Sequence, residues 1–282
     1  MNISKNIHTF IGCDSDYAES RIAIFGAPFD STTSYRPGAR FASSAMRNES
    51  YGIETYSPYQ DKDLLDAEIF DCGDLELCFG SPESALNDIE KMTENIISDG
   101  KLPIMIGGEH LVTLGAVRAA VKKYPDLRIV HFDAHADLRD DYLGQKLSHA
   151  CVMRRCHELL GDGKIFQFGI RSGDREEFLW GREHVYTNRF DFSGIERIKE
   201  KTGDRPVYFT LDLDVLDPSC FCGTGTPEAG GVSYNELIKA IEKVSELNVI
   251  GLDINELSPT LDQSGASTAL CLLYTSDAAD EL

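Results

Sequence analysis

Ten consecutive residues, His131 to Asp140 (HFDAHADLRD), hold two histidines and three acids directly after an apolar run, LRIV. Charge gathered at the end of a buried strand is costly unless something compensates it. In extended backbone, side chains two apart point the same way, so Asp133, His135 and Asp137 form one row. The stretch PVYFTLDLDVLDP repeats the arrangement with Asp212 and Asp214, and KLPIMIGGEH delivers His110 after two glycines that let the backbone turn tightly. Two imidazoles and four carboxylates result. Four negative charges match two divalent cations. A hard-to-borderline donor set without thiolate favours manganese over zinc or copper(I), and nickel, cobalt and iron(II) fit the same donors. Two such ions about 4 Å apart can share one water and bring its pKa toward neutrality, which suits attack on a poor electrophile.

Two further residues stand near this set. His149 opens SHACVMRRCHELLG, twelve residues after Asp137; it reads either as a proton carrier to a leaving amine or as a packing residue at a helix start. Glu256 in DINELSP reads either as an acceptor for a planar cation such as a guanidinium or as a salt-bridged loop acid. His131, two residues before Asp133, reads as a buried supporter of the row and not as a ligand. His8, His157 and His184 have no motif around them and read as solvated or core histidines.

These residues must be held by something, and the intervening sequence supplies it. RIAIFGAPFD, AEIFDCGD, KLPIMIGGEH, LRIVHFDAHAD, KIFQFGIRS, PVYFTLDLDVLDP and NVIGLDINELSP read as short strands. ESALNDIEKMTENIISDG, LVTLGAVRAAVKKYP, SHACVMRRCHELLG and SYNELIKAIEKVSEL read as helices, the last with Ser233 as N-cap and Glu236 as its capping-box partner. Strand, loop and helix in alternation predict an α/β fold with a mainly parallel sheet and helices on both faces, with no linker or repeat, so one domain spanning 1–282 is expected. Each chemical cluster falls at the carboxyl end of its strand, where such sheets bind ligands.

The 282-residue chain carries a net charge of −20, which disfavours nucleic acid and anionic membranes as partners and suits a small cationic ligand. The start, MNISKNIHTF, lacks the apolar core of a secretory leader, and no window approaches the roughly 18 apolar residues of a membrane span. The eight cysteines match no zinc or redox spacing, Cys220 and Cys222 included, and read as reduced thiols of a cytoplasmic protein.

The set GGEH, HFDAHADLRD, LDLDVLDP, GTGTPEAGG and GLDINELSP resembles the ureohydrolases, the family of arginase, agmatinase and their relatives, over about residues 22–270. PFDSTTSYRPGARF and GTGTPEAGG resemble the agmatinase branch most. The resemblance implies a three-layer α/β/α sandwich with a doubly wound sheet, two Mn2+ per chain, and a homotrimer or homohexamer. It makes His110, Asp133, His135, Asp137, Asp212 and Asp214 the metal ligands, His149 the proton shuttle and Glu256 the guanidinium-binding acid, with Asp137 also orienting the nucleophile. The implied reaction cleaves agmatine to urea and putrescine. Guanidinobutyrase, arginase or formiminoglutamase activity, or a non-catalytic polyamine- or guanidine-binding role, are the alternatives. Asp140 and Asp141, in the loop after the row, would suit a substrate whose far end is a bare amine. Two features depart from the family pattern: Cys222 stands where a proline is expected, and the tail 271–282 turns polar after three apolar residues where a long amphipathic helix is expected.

Overall fold

The structure is a computed structural model and describes residues 8–59 and 61–272. In chain order it forms β1 (Ile22–Gly26), α1 (Ala42–Ser50), the antiparallel pair β2 (Tyr56–Ser57) and β3 (Lys62–Asp63), β4 (Ile69–Asp74), α2 (Pro82–Ser98) and β5 (Leu102–Ile106). Then come α3 (Thr113–Lys123), β6 (Arg128–Phe132), α4 (Val152–Leu160), β7 (Ile165–Ile170), α5 (Arg175–His184) and β8 (Tyr186–Arg189). The order closes with α6 (Ile198–Thr202), β9 (Pro206–Asp212), α7 (Tyr234–Ser245) and β10 (Asn248–Asn255).

Strand residues alternate between two separate apolar clusters, which makes three layers. Ile104, Val130, Phe209 and Ile254 face α7 and α1, whose Leu237, Ile241 and Met46 complete one core. Their neighbours Met105, Ile129 and Tyr208 face α2, α3 and α4, where Leu86, Ile89, Val117 and Met153 complete the other. Both faces are apolar because a parallel sheet is covered on both sides. Helix ends are fixed locally. Ser233 accepts from the Glu236 backbone N–H while the Glu236 side chain answers the Ser233 N–H, the capping box its sequence predicts.

Eight strands pair in the order β4-β1-β5-β10-β9-β6-β7-β8, every pairing parallel. The two last strands, β10 and β9, insert between β5 and β6. Connections therefore run outward to both sides of this central quartet, which is where a doubly wound sheet opens its crevice. All the predicted chemistry lies just past, or at, the carboxyl ends of these four strands.

Several elements lie outside the sequence expectation: α1 (ASSAMRNES), α5 (REEFLWGREH), α6 and the edge strand β8. Their apolar residues are too sparse to show a period. They are held by tertiary packing and, for α5, by a capping box between Asp174 and Glu177. Of the atypical tail, Cys271 and Leu272 end a helical stretch and are buried in the α7-side core; residues 273–282 lie outside the described residues.

Candidate metal centre

His110 follows β5 across Gly107 and Gly108. A Cβ on Gly107 would meet Asn255 Oδ1 at 1.7 Å, and one on Gly108 would meet the Phe29 carbonyl at 1.9 Å, so only glycine permits this approach. The His110 ring is buried, its Nδ1 3.0 Å from Asp133 Oδ2, 3.1 Å from Asp137 Oδ2 and 3.4 Å from Asp212 Oδ2. It makes no aligned hydrogen bond with any of them. A proton on Nδ1 is poorly placed there, whereas a cation at the common focus of the four atoms is well placed. On its far side, Nε2 lies 2.9 Å from Thr210 Oγ1 on β9, which holds the ring plane.

A second group adjoins the first. His135 Nδ1 lies 2.9 Å from Asp214 Oδ2 and 3.5 Å from Asp133 Oδ1, so Asp133 faces both imidazoles. Backbone amides fix the carboxylates: His135 N donates to Asp133 Oδ1 at 2.6 Å, Asp214 N to Asp212 Oδ1 at 2.9 Å and Ala134 N to Asp214 Oδ1 at 3.1 Å. Asp133, Asp137, Asp212 and Asp214 are all buried, and none forms an ion pair with lysine or arginine among the described residues. Burial, with the neighbouring charge of Asp133, pushes Asp137 up to about 7. Burial, with Asp214 and Asp133 alongside, holds Asp212 well above the usual carboxylate range. The protein thus gathers four buried carboxylates that, among the described residues, no lysine or arginine compensates.

Six predicted ligands therefore come together, though not by strand alternation. β6 ends at Phe132, and Asp137 lies in the left-handed region at φ 53°. Asp212 closes β9, and a 3-10 turn, Leu213–Val215, brings Asp214 round. Such backbone strain on a non-glycine residue is concentrated at functional sites, and Glu256 shares it at φ 66°.

Glu256 follows β10, buried, with Oε1 accepting the His110 N–H at 2.8 Å. Burial and the nearby Glu109 carboxylate raise its pKa well above normal. Among the described residues no salt bridge engages it, which argues against its reading as a paired loop acid. His149 begins the 3-10 turn leading into α4, its N–H donating to Thr32 Oγ1 at 3.1 Å and its Nε2 3.3 Å from Ser34 Oγ at the crevice mouth. Burial, then the charge on His135, pushes its pKa down to about 4, so it stands as a neutral imidazole.

The arginase-family model matches residues 20–276 of this chain. The agmatinase of Bacillus subtilis (strain 168) is 46% identical over 261 residues, covering 90% of this chain and 89% of that protein. The N(1)-aminopropylagmatine ureohydrolase of Thermococcus kodakarensis is 38% identical, covering 92% and 90%. A Clostridium difficile protein of solved structure superposes with a TM-score of 0.92 at 49% identity, covering 94% of this chain and 98% of that one. The chain belongs to the arginase family.

This ureohydrolase carries further site residues that sequence reading passed over. His131 Nδ1 lies 3.1 Å from the Gln167 amide, whose Oε1 accepts from Thr187 and whose Nε2 also donates to the Ala136 carbonyl. His131 Nε2 therefore carries the proton and donates to Asp133 Oδ2 at 2.7 Å, the supporting role expected of it. Glu228, in GTGTPEAGG, lies with Oε1 3.6 Å from His135 Nε2 and is held by Ser172 Oγ at 2.8 Å. Glu109, between the glycines and His110, accepts from Thr32 N at 2.9 Å and Thr33 Oγ1 at 3.0 Å, tying the β1 loop to the centre. The GGEH and TPEAGG motifs contain these acids, but only the fold shows what they face. The amine-binding role expected of Asp140 and Asp141 is not seen. Asp140 pairs with Arg155 at 2.7 Å, and Asp141 accepts the Gly144 N–H at 2.8 Å.

Proposed function

We propose that this ureohydrolase binds two Mn2+ and hydrolyses the guanidino group of agmatine to urea and putrescine. His110 with Asp133, Asp137 and Asp212 would hold one ion, and His135 with Asp133, Asp212 and Asp214 the other. One observation carries this reading: four buried carboxylates and two imidazoles converge with no lysine or arginine among them in the described residues. Divalent ions supply an activated water nucleophile and Lewis acidity when bound. The oxygen-rich donor set favours manganese by hardness.

The protein's own groups do the rest. Glu256 accepts guanidinium N–H bonds and orients the planar carbon, with the His110 N–H keeping its Oε1 in place. The guanidinium stays protonated at any working pH, so a carboxylate is the matching partner. Asp137, beside the nucleophile, would take and return a proton. Neutral His149 at the mouth receives it and delivers it to the departing amine. The depth of Glu256 and the aspartates excludes bulk water from these transfers.

The acidic chain suits a dication such as agmatine. The Thermococcus relative favours a second reading, a longer agmatine derivative carrying one more amine. Urea release from agmatine, N(1)-aminopropylagmatine, 4-guanidinobutyrate and arginine separates these. Fastest turnover of agmatine supports the first reading, and fastest turnover of any other compound replaces it. We also read the chain as one domain over 1–282 that assembles as a homotrimer or homohexamer. Sedimentation tests the assembly. No helix among the described residues is long and apolar enough to cross a membrane, and eight cysteines with no disulfide among them fit a reducing cytoplasm.

A further inference from the structure

Away from the crevice, α4 carries a histidine in its last turn and α5 ends on one, and the two rings meet. His157, in the last turn of α4, places Nε2 2.8 Å from Asp162 Oδ1; His184, at the end of α5, places Nδ1 2.6 Å from the same oxygen. The three ligand atoms lie within 4.8 Å of one another. Asp162 sits between Gly161 and Gly163, both at positive φ, and the Gly163 N–H donates to the His184 carbonyl at 2.8 Å, which ties the loop to the end of α5. The rings are pre-set by Trp180, which stacks on His184 at 4.2 Å between centroids and meets His157 edge-on at 4.7 Å. Arg154 lies over the same indole at 3.7 Å.

We propose that His157, Asp162 and His184 form a second metal site, independent of the crevice, that takes a borderline divalent cation of the zinc or nickel type. Two imidazoles and one carboxylate are the donor set such ions prefer over manganese. The carboxylate oxygen, 2.8 Å and 2.6 Å from the two nitrogens, needs to part from each by about 0.5–0.7 Å to reach the roughly 3.3 Å separation of a tetrahedral site with bonds of about 2.0–2.1 Å. The ends of α4 and α5 present partial negative charge to a cation, and the exposed Asp162 leaves the remaining positions open to water. Ring packing and the glycine-bounded loop pre-organise the three donors before any ion arrives.

Trp180 is the only tryptophan of the chain and touches both rings, so it reports on this site alone. The test titrates manganese-loaded protein with Ni2+, following tryptophan emission. Bound Zn2+ is counted by equilibrium dialysis in parallel. The expected result is saturable quenching that ends at one equivalent of Ni2+ and one Zn2+ per chain beyond the crevice metals. Both signals should be lost in His157→Gln and in Asp162→Asn, with urea release and thermal unfolding temperature retained. Either variant alone suffices if the other fails to fold. Quenching that does not saturate, or that survives unchanged in a folded variant, overturns the proposal.

Discussion

Asp71 on β4 and Asp133 after β6 are both buried aspartates, but only Asp71 meets an arginine; Asp133 meets histidines. The Arg47 guanidinium grips Asp71 through two bonds, Nε to Oδ2 at 2.8 Å and Nη2 to Oδ1 at 3.0 Å, and also pairs with Asp74. The Phe10 N–H adds a third bond at 3.0 Å, and the Phe10 ring lies under the guanidinium. That cluster fastens α1 to the sheet and is electrically closed. At the crevice, Asp133, Asp137, Asp212 and Asp214 face histidines, backbone amides and the Thr226 hydroxyl, with no lysine or arginine among the described residues. The contrast separates a structural ion pair from the cluster proposed to hold metal ions. Arg47 spends its charge inside the fold; the crevice carboxylates keep theirs for ions and substrate.

The sharpest way to break the comparison is to neutralise one acid on the crevice side. Asp212→Asn should lower urea release by about 10³-fold or more, the several kcal/mol that an impaired metal centre withholds. The same variant should raise the unfolding temperature of the metal-free protein, because a buried carboxylate disfavoured by its neighbours is gone. Loss of both activity and metal-free stability would place Asp212 with Asp71 as a structural residue.

On the other side, Arg47→Ala should cost about 3–5 kcal/mol in denaturant unfolding, because Asp71 is left buried and unpaired. Metal stoichiometry and turnover per folded molecule should be unchanged. A smaller effect sharpens the crevice alone. Glu228→Gln removes the carboxylate facing His135 Nε2 and should weaken metal affinity about 10-fold to 100-fold, measured by chelator competition, with little change in stability.

The last contrast concerns pH. The folded-state pKa of Asp137 is raised from 3.8 to about 7, so folding takes up a proton between those values. Its contribution to stability is greatest at low pH and is lost as pH rises through 7. Metal-free protein should therefore lose unfolding temperature between pH 5 and about 8, and added Mn2+ should stabilise more at the upper end, because ligands shed protons on binding. An unfolding temperature that rises over this interval in the metal-free protein would remove Asp137 from the account.

The ligands were legible in the sequence because each strand end carries its donors within a few residues: DAHAD, LDLD and GGEH. The reason for their convergence was only partly legible. Alternation predicts a straight row, whereas Asp137 arrives through a left-handed residue and Asp214 through a 3-10 turn. The insertion of β10 and β9 between β5 and β6 is a long-range arrangement that no local period encodes. Gln167, Thr210 and Glu228 escaped notice for the same reason, since each meets its histidine across the fold. His157 and His184 lie 27 residues apart (184 − 157) and read as bland until α4 and α5 end beside each other. Polar helices such as α5 were missed because their hold comes from packing and caps, not from an apolar stripe.

The most direct measurement adds Mn2+ in steps to chelator-stripped protein and follows urea release from agmatine. Activity should start at the detection limit and climb to a plateau at two equivalents per chain. Urea release undiminished by chelation, or protein that binds no metal at the crevice, would contradict the claim that these buried carboxylates await cations.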